Sequence, residues 1–280
     1  MSILRQNWQK LIAIILITLS FRILLLQLLP LRSSSTFEME PSILSQKIGM
    51  IPAAAIVITI SYAVIASVLI IIQEELHVSK LKRFFLCSLP YGLIWIMGVL
   101  ETVSSLGKPF LQEVLIGLTD IIPILIMGGI ISFWVSKGAQ QNKNTPNSST
   151  VFSIFIISFT YFVGRYFMYT LIHINSGYFS NEIATFWWTI AMGVAIGSAY
   201  FMLRDGVKGN TPLSRGLWFG FIAFGLYWTL NNLFMPILFD ISFIRFTPPI
   251  MNYIYRAFID MVFVSFSVWI FEKTHAAQRL

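Results

Sequence analysis

A single cysteine, Cys87, stands in the whole 280-residue chain. Its solitude excludes a disulfide framework, a cysteine-based zinc site and an iron–sulfur cluster built within one chain. Histidine is nearly as scarce. His77, His173 and His275 lie in three separate regions and no HExxH occurs, so no metal site is expected. Neither a GxSxG elbow nor a GxxxxGK[ST] loop is present, which removes the usual signals of a serine hydrolase or a nucleotide-driven enzyme. No cofactor is expected. Charge is the third shortage: Asp, Glu, Lys and Arg make up 11% of the residues, where a soluble domain carries about 25%. A water-facing globule is excluded on that ground.

What fills the space is apolar. Hydrophobic residues make up 56% of the chain, and the mean hydropathy is +0.77. A membrane span needs roughly 20 mostly apolar residues to cross about 30 Å of hydrocarbon. Eight segments meet that length: Leu11–Leu31, Met50–Ile72, Phe84–Val103, Val114–Ser136, Val151–Ile172, Ala184–Leu203, Gly216–Leu238 and Asn252–Phe271. The expected fold is therefore all-α, a polytopic integral membrane protein. The first segment is read as a retained helix, since no small-residue cleavage pattern follows Leu31.

Lys and Arg set the orientation. With both termini cytoplasmic, the inner segments hold Arg5, Lys10, Lys80, Lys82, Arg83, Lys137, Lys143, Arg204, Lys208, Arg215, Lys273 and Arg279, while the outer loops hold Arg32, Lys47, Lys108 and Arg245. The net charge of +7 is mostly this topology signal. A nucleic-acid partner would need a basic patch on a soluble face, and none is expected. The expected home is the plasma (inner) membrane, with lipid as its surroundings. Glu74 and Glu75, beside Lys80, Lys82 and Arg83, read as part of a solvated inner loop.

The longest inner loop, Lys137–Thr150, runs through Gln, Asn, Lys, Thr, Pro and Ser and reads as a flexible linker. It divides the chain into residues 1–136 and 151–280, and the halves invite comparison. The first span of each carries an arginine, Arg22 and Arg165, and the fourth an aspartate, Asp120 and Asp260. Arg22 precedes Asp120 by 98 residues and Arg165 precedes Asp260 by 95. Four spans per half predict a 4+4 parallel internal repeat, with its axis along the membrane normal. Gly193 with Gly197, and Gly216 with Gly220, are small-xxx-small pairs suited to close helix contact.

Ionisable groups cost about 2.5–3.5 kcal/mol each inside a bilayer, even on the lenient insertion scale, so they are expected to face inward and pair. The spans hold three of each sign: Arg22, Arg165 and Arg256 against Glu101, Asp120 and Asp260. Arg256 and Asp260, four apart on one helix face, are the one pair that local geometry predicts. At ~1.5 Å per residue, Asp120 lies about 10 Å below the outer end of its span, and all six favour the outer half. A shared polar cavity near the extracytoplasmic side is the expectation. Ser158, Tyr161, Arg165 and Tyr169 form one stripe, Tyr253, Arg256, Asp260 and Ser267 another, with Asn231 and Asn232 on the seventh span. Pro123 with Gly128 and Gly129 is expected to break the fourth span just inward of Asp120. Trp187 and Trp188 read as part of the interfacial aromatic belt.

The candidate binding residues are Arg22, Glu101, Asp120, Arg165, Tyr169, Asn231, Arg256 and Asp260. Guanidinium forks suit carboxylate or phosphate. The leading functional expectation is a permease for a small polar or anionic solute. The alternatives are an intramembrane enzyme acting on a lipid or lipid-linked substrate at the outer leaflet, and a non-catalytic sensor or accessory subunit.

Overall fold

A computed structural model of the chain describes residues 2–28, 40–135, 150–174, 176–240 and 249–277. Among the described residues, eight helices are long and apolar enough to cross a membrane: α1 (Trp8–Leu28), α2 (Met50–Glu75), α3 (Lys80–Leu106), α4 (Phe110–Val135), α5 (Phe152–Ile172), α6 (Glu182–Gly206), α7 (Pro212–Leu238) and α8 (Met251–His275). The chain is a multi-pass membrane protein by the length and composition of these helices. Residues 137–149 of the expected linker lie outside the described residues.

Helix is imposed here by the solvent, since only a helix or a closed barrel satisfies backbone groups in lipid. That outweighs the β-branched content of α2, where Ile and Val abound. The ends follow ordinary capping chemistry. Ser79 accepts from Lys82 N at the start of α3, Asn181 from Ala184 N before α6, and Thr211 forms a reciprocal box with Ser214 ahead of α7. Gly107, at φ +66°, supplies the left-handed turn that ends α3. Between α1 and α2 a short helix, Ile43–Ile48, docks on the last turn of α7. There Ser42 Oγ donates to Ile237 O at 2.6 Å and Ser45 Oγ to Leu238 O at 2.8 Å, closing carbonyls the helix end leaves open.

Two expectations about local structure need correction. Glu74 and Glu75 are the exposed last residues of α2 rather than loop residues, because the helix ends only at Leu76. The helix of α4 runs unbroken through Pro123 to Ile130 and widens into a π-helical turn only at Ile131–Val135. Gly128 and Gly129 serve contact with α3 instead, facing Ser88 and Phe84.

Three helix pairings of α1–α4 recur in α5–α8, while the contacts of α2 with α3 and α4 belong to the first half alone among the principal pairings. In the first half α1 lies against α2 and α4, and α3 against α4; in the second α5 lies against α6 and α8, and α7 against α8. The halves meet by exchange: α3 of the first packs on α6 of the second, and α7 of the second on α2 of the first. Where α3 and α7 approach, Tyr91 Oη donates to Ala223 O at 2.9 Å and Tyr227 Oη to Tyr91 O at 3.4 Å. Both glycine pairs do the expected work. A Cβ at Gly193 or Gly197 would meet the Ser158 or Ile154 carbonyl of α5 at 2.9 Å, and Gly216 and Gly220 sit against Ser265 of α8.

The start of α1 and the end of α8 lie on the same face of the bundle. Lys10 near the start of α1 reaches the Trp134 carbonyl at the end of α4, and Arg204 at the end of α6 reaches Glu272 at the end of α8. This side is called the termini face below.

Candidate functional site

Each of the six charges foreseen within the spans has a partner on another helix. Arg22 of α1 meets Asp120 of α4, with Nε to Oδ1 at 2.5 Å, and Trp95 Nε1 of α3 donates to the other oxygen of Asp120 at 2.8 Å. Arg165 of α5 grips Asp260 of α8 with two parallel bonds of 2.6 Å, and Trp228 Nε1 of α7 donates to Asp260 Oδ2 at 2.8 Å. The two arrangements are alike helix for helix: arginine on the first, tryptophan on the third, aspartate on the fourth. They differ in depth of burial. The side chains of Arg165 and Asp260 are both 0% exposed, against 14% and 6% for Arg22 and Asp120.

The intrahelical Arg256–Asp260 pair predicted from spacing is replaced. The Asp260 carboxylate is taken up by Arg165 and Trp228, while Arg256 turns to Glu101 of α3, Nη2 to Oε2 at 2.7 Å. A two-pronged guanidinium on a neighbouring helix is a better partner than a side chain four residues away on the same one. Tyr161 and Tyr169 flank Arg165 as the stripe predicted, accepting from Nε at 3.1 Å and Nη1 at 3.4 Å. Trp188 joins them, its ring 5.3 Å from the guanidinium carbon. This corrects its assignment to the lipid-facing belt. It is 6% exposed and donates to Met97 O at 2.7 Å, whereas Trp187 is 63% exposed.

The expected cavity shared by all six charges gives way to two buried pairs and one lined pocket. A cavity of about 550 Å³, lined by both charged and apolar side chains, opens at the face opposite the termini, between α3 and the second half. Its lining includes Glu101, Ser105, Asn231, Asn232, Tyr253 and Arg256; Arg22, Asp120, Arg165, Tyr169 and Asp260 do not line it. Asn232 orients the floor. Its Nδ2 donates to Trp228 O at 2.8 Å, which turns Oδ1 toward Arg256 to accept from Nη2 at 2.6 Å and from Nε at 3.0 Å. Tyr253 lies under the guanidinium, 5.4 Å from ring centre to carbon. Gly98 leaves the room that the Asn231 side chain occupies.

At the termini face a second cluster ties three elements. Glu272 of α8 accepts from Tyr200 Oη at 2.5 Å and from Arg204 Nε at 3.0 Å, with Arg215 Nε 3.4 Å from its other oxygen. Arg215 also donates to the carbonyls of Arg204 and Val207. Arg83, at the start of α3, donates likewise to Leu76 O and Val78 O at the end of α2. Both arginines sit four residues after a capping hydroxyl, Ser79 or Thr211.

Reasoning from the sequence missed Trp95 and Glu272, and it paired Trp228 with Asn232 rather than with Asp260. A signal for the tryptophans is present: Tyr91-Gly92-Leu93-Ile94-Trp95 and Phe224-Gly225-Leu226-Tyr227-Trp228 share the pattern aromatic–Gly–Leu–x–Trp. In both, the glycine receives the side chain that follows the aspartate. Gly92 lies against Ile121 and Gly225 against Met261.

Among the described residues no group of three or more His, Cys, Asp and Glu is placed to hold a metal ion. No protein-family model, no curated protein and no solved structure matches the chain.

Proposed function

We propose that this chain is a permease for a small polar solute, with the Glu101–Arg256 cavity as its binding site and Asn231 and Asn232 as its hydrogen-bonding wall. One observation carries the reading: the buried Arg–Trp–Asp arrangement occurs in both halves, whereas the cavity's pair occurs once. Four residues before Asp260 stands Arg256, and four before Asp120 stands Ile116. Six residues after Trp95 stands Glu101, and six after Trp228 stands Phe234. What is duplicated holds helices together. What is single, buried, charged and next to open space is suited to a ligand, and buried ionisable groups in spans mark functional sites.

The matching neighbours, the paired tryptophans and the two capping arginines support a 4+4 parallel repeat. In that reading Arg22, Asp120, Arg165, Tyr169 and Asp260 are framework, and the cavity lies where the halves meet, as in other repeat-built transporters. The Glu272 cluster favours a closed termini face, so solute enters from the far side. The distribution of Lys and Arg favours the termini face being cytoplasmic, in the inner membrane.

A cysteine-accessibility experiment tests the reading. Cys87 is buried, so C87S gives a cysteine-free background, into which Asn231→Cys is placed. A membrane-impermeant thiol reagent is then applied to each side of sealed vesicles. Labelling from both sides, with uptake of solute, is the expected result. Labelling from the far side alone removes the permease and leaves an outward-facing receptor or enzyme.

A further inference from the structure

The cavity floor is electrically balanced. One guanidinium and one carboxylate meet at 2.7 Å, with side chains 10% and 8% exposed, and the other lining residues carry no formal charge, being amides, hydroxyls and a phenol beside apolar Leu106 and Met235. This balance restricts what binds. A solute bearing only a carboxylate draws Arg256 away and strands Glu101 as an uncompensated charge at a buried position. A solute bearing only an ammonium strands Arg256 in the same way. A solute bearing both replaces each member of the pair with an equivalent partner, and no charge is left alone.

We infer that the solute is a zwitterion, with an anionic group taken by Arg256 and an ammonium on a neighbouring carbon taken by Glu101. The inference rests on the cavity being the binding site. Arg256 is the anion receptor because its fork is held in plane by Asn232 and backed by Tyr253. Glu101 is the ammonium receptor because it faces the guanidinium directly and is the one carboxylate among the cavity's lining residues. Asn232 is a positioning residue. Its amide is fixed by the Trp228 carbonyl, so the second buried Arg–Trp–Asp set holds the receptor fork through one hydrogen bond. Two sources supply this chemistry, a free amino acid and the phosphoethanolamine headgroup of a lipid.

Purified protein in lipid nanodiscs is titrated calorimetrically with the standard L-amino acids, with their deaminated carboxylates, with their decarboxylated amines, and with glycerophosphoethanolamine. The expected result is binding by a zwitterion, with its carboxylate-only and amine-only counterparts at least tenfold weaker. Binding by amino acids identifies a free solute, and binding by glycerophosphoethanolamine alone identifies a lipid headgroup. Glu101→Gln should abolish discrimination between zwitterion and carboxylate. The double variant Glu101→Gln/Arg256→Gln, which leaves no lone charge, should keep its thermal unfolding midpoint and lose binding. Equal binding of zwitterion and carboxylate, or no binding by any probe to folded protein, overturns the inference. Zwitterion binding together with one-sided cysteine labelling would sink the permease and leave this assignment standing.

Discussion

At the scale of single residues, the two Arg–Asp pairs are built alike but do not cost the same to break. Asp260→Asn leaves Arg165 with no carboxylate at a site 0% exposed. Breaking a buried pair from one side costs about 3–5 kcal/mol. Arg22 is 14% exposed on a peripheral helix, and its long stem lets the guanidinium reach toward the interface. Asp120→Asn should therefore cost less than half as much. Thermal unfolding of the two variants in detergent checks this, and equal losses would contradict the difference in burial. All six charges were legible in the sequence as an inventory, since any charge within an apolar run stands out. Their partners were not. Pairing is decided by which helices touch, and the one pair that spacing offered, Arg256 with Asp260, was superseded by Glu101 and Arg165 on other helices. Trp95 was passed over because an indole within a span reads as apolar, although its N–H needs an acceptor once buried.

Helices themselves were read well: eight apolar runs became eight long helices, with ends shifted by a few residues where caps such as Ser79 and Gly107 decide them. What hydropathy does not carry is the pitch. Residues Trp218–Gly225 of α7 are π-helical, and the stretch from Arg215 to Trp228 is one residue longer than that from Arg83 to Trp95. Each stretch has the same two anchors, an arginine on carbonyls at or just past the end of the preceding helix and a tryptophan on an aspartate. The wider π turn takes up the extra residue and keeps Trp228 aimed at Asp260. Deleting Ile222 from the π segment should then be tolerated as a return to regular α-helix. Deleting Leu86 from α3 should rotate Trp95 by about 100° away from Asp120 and abolish folding. Yields of folded protein by size-exclusion chromatography check both, and equal loss would show that the π turn absorbs nothing.

For the whole molecule, the exchange of α3 onto α6 and α7 onto α2 ties the halves through helix faces. Residues 1–143 and 144–280, expressed together as separate chains with a tag on one, should co-purify; recovery of the tagged half alone would mean that the connection is needed. An outer-half cavity was legible, and Glu101, Asn231, Asn232 and Arg256 do line it; which charges it excludes was not, because its walls come from α3, α7, α8 and the segment before α6 at once. The pairing also has a consequence for synthesis. Arg22 leaves the ribosome 98 residues ahead of Asp120, and Arg165 95 residues ahead of Asp260. At about 5–20 residues per second, each guanidinium waits roughly 5–20 s for its carboxylate. Each wait ends within its own half. Glu101 waits 155 residues for Arg256, across the boundary between halves, so the cavity floor is assembled only when the last helix arrives.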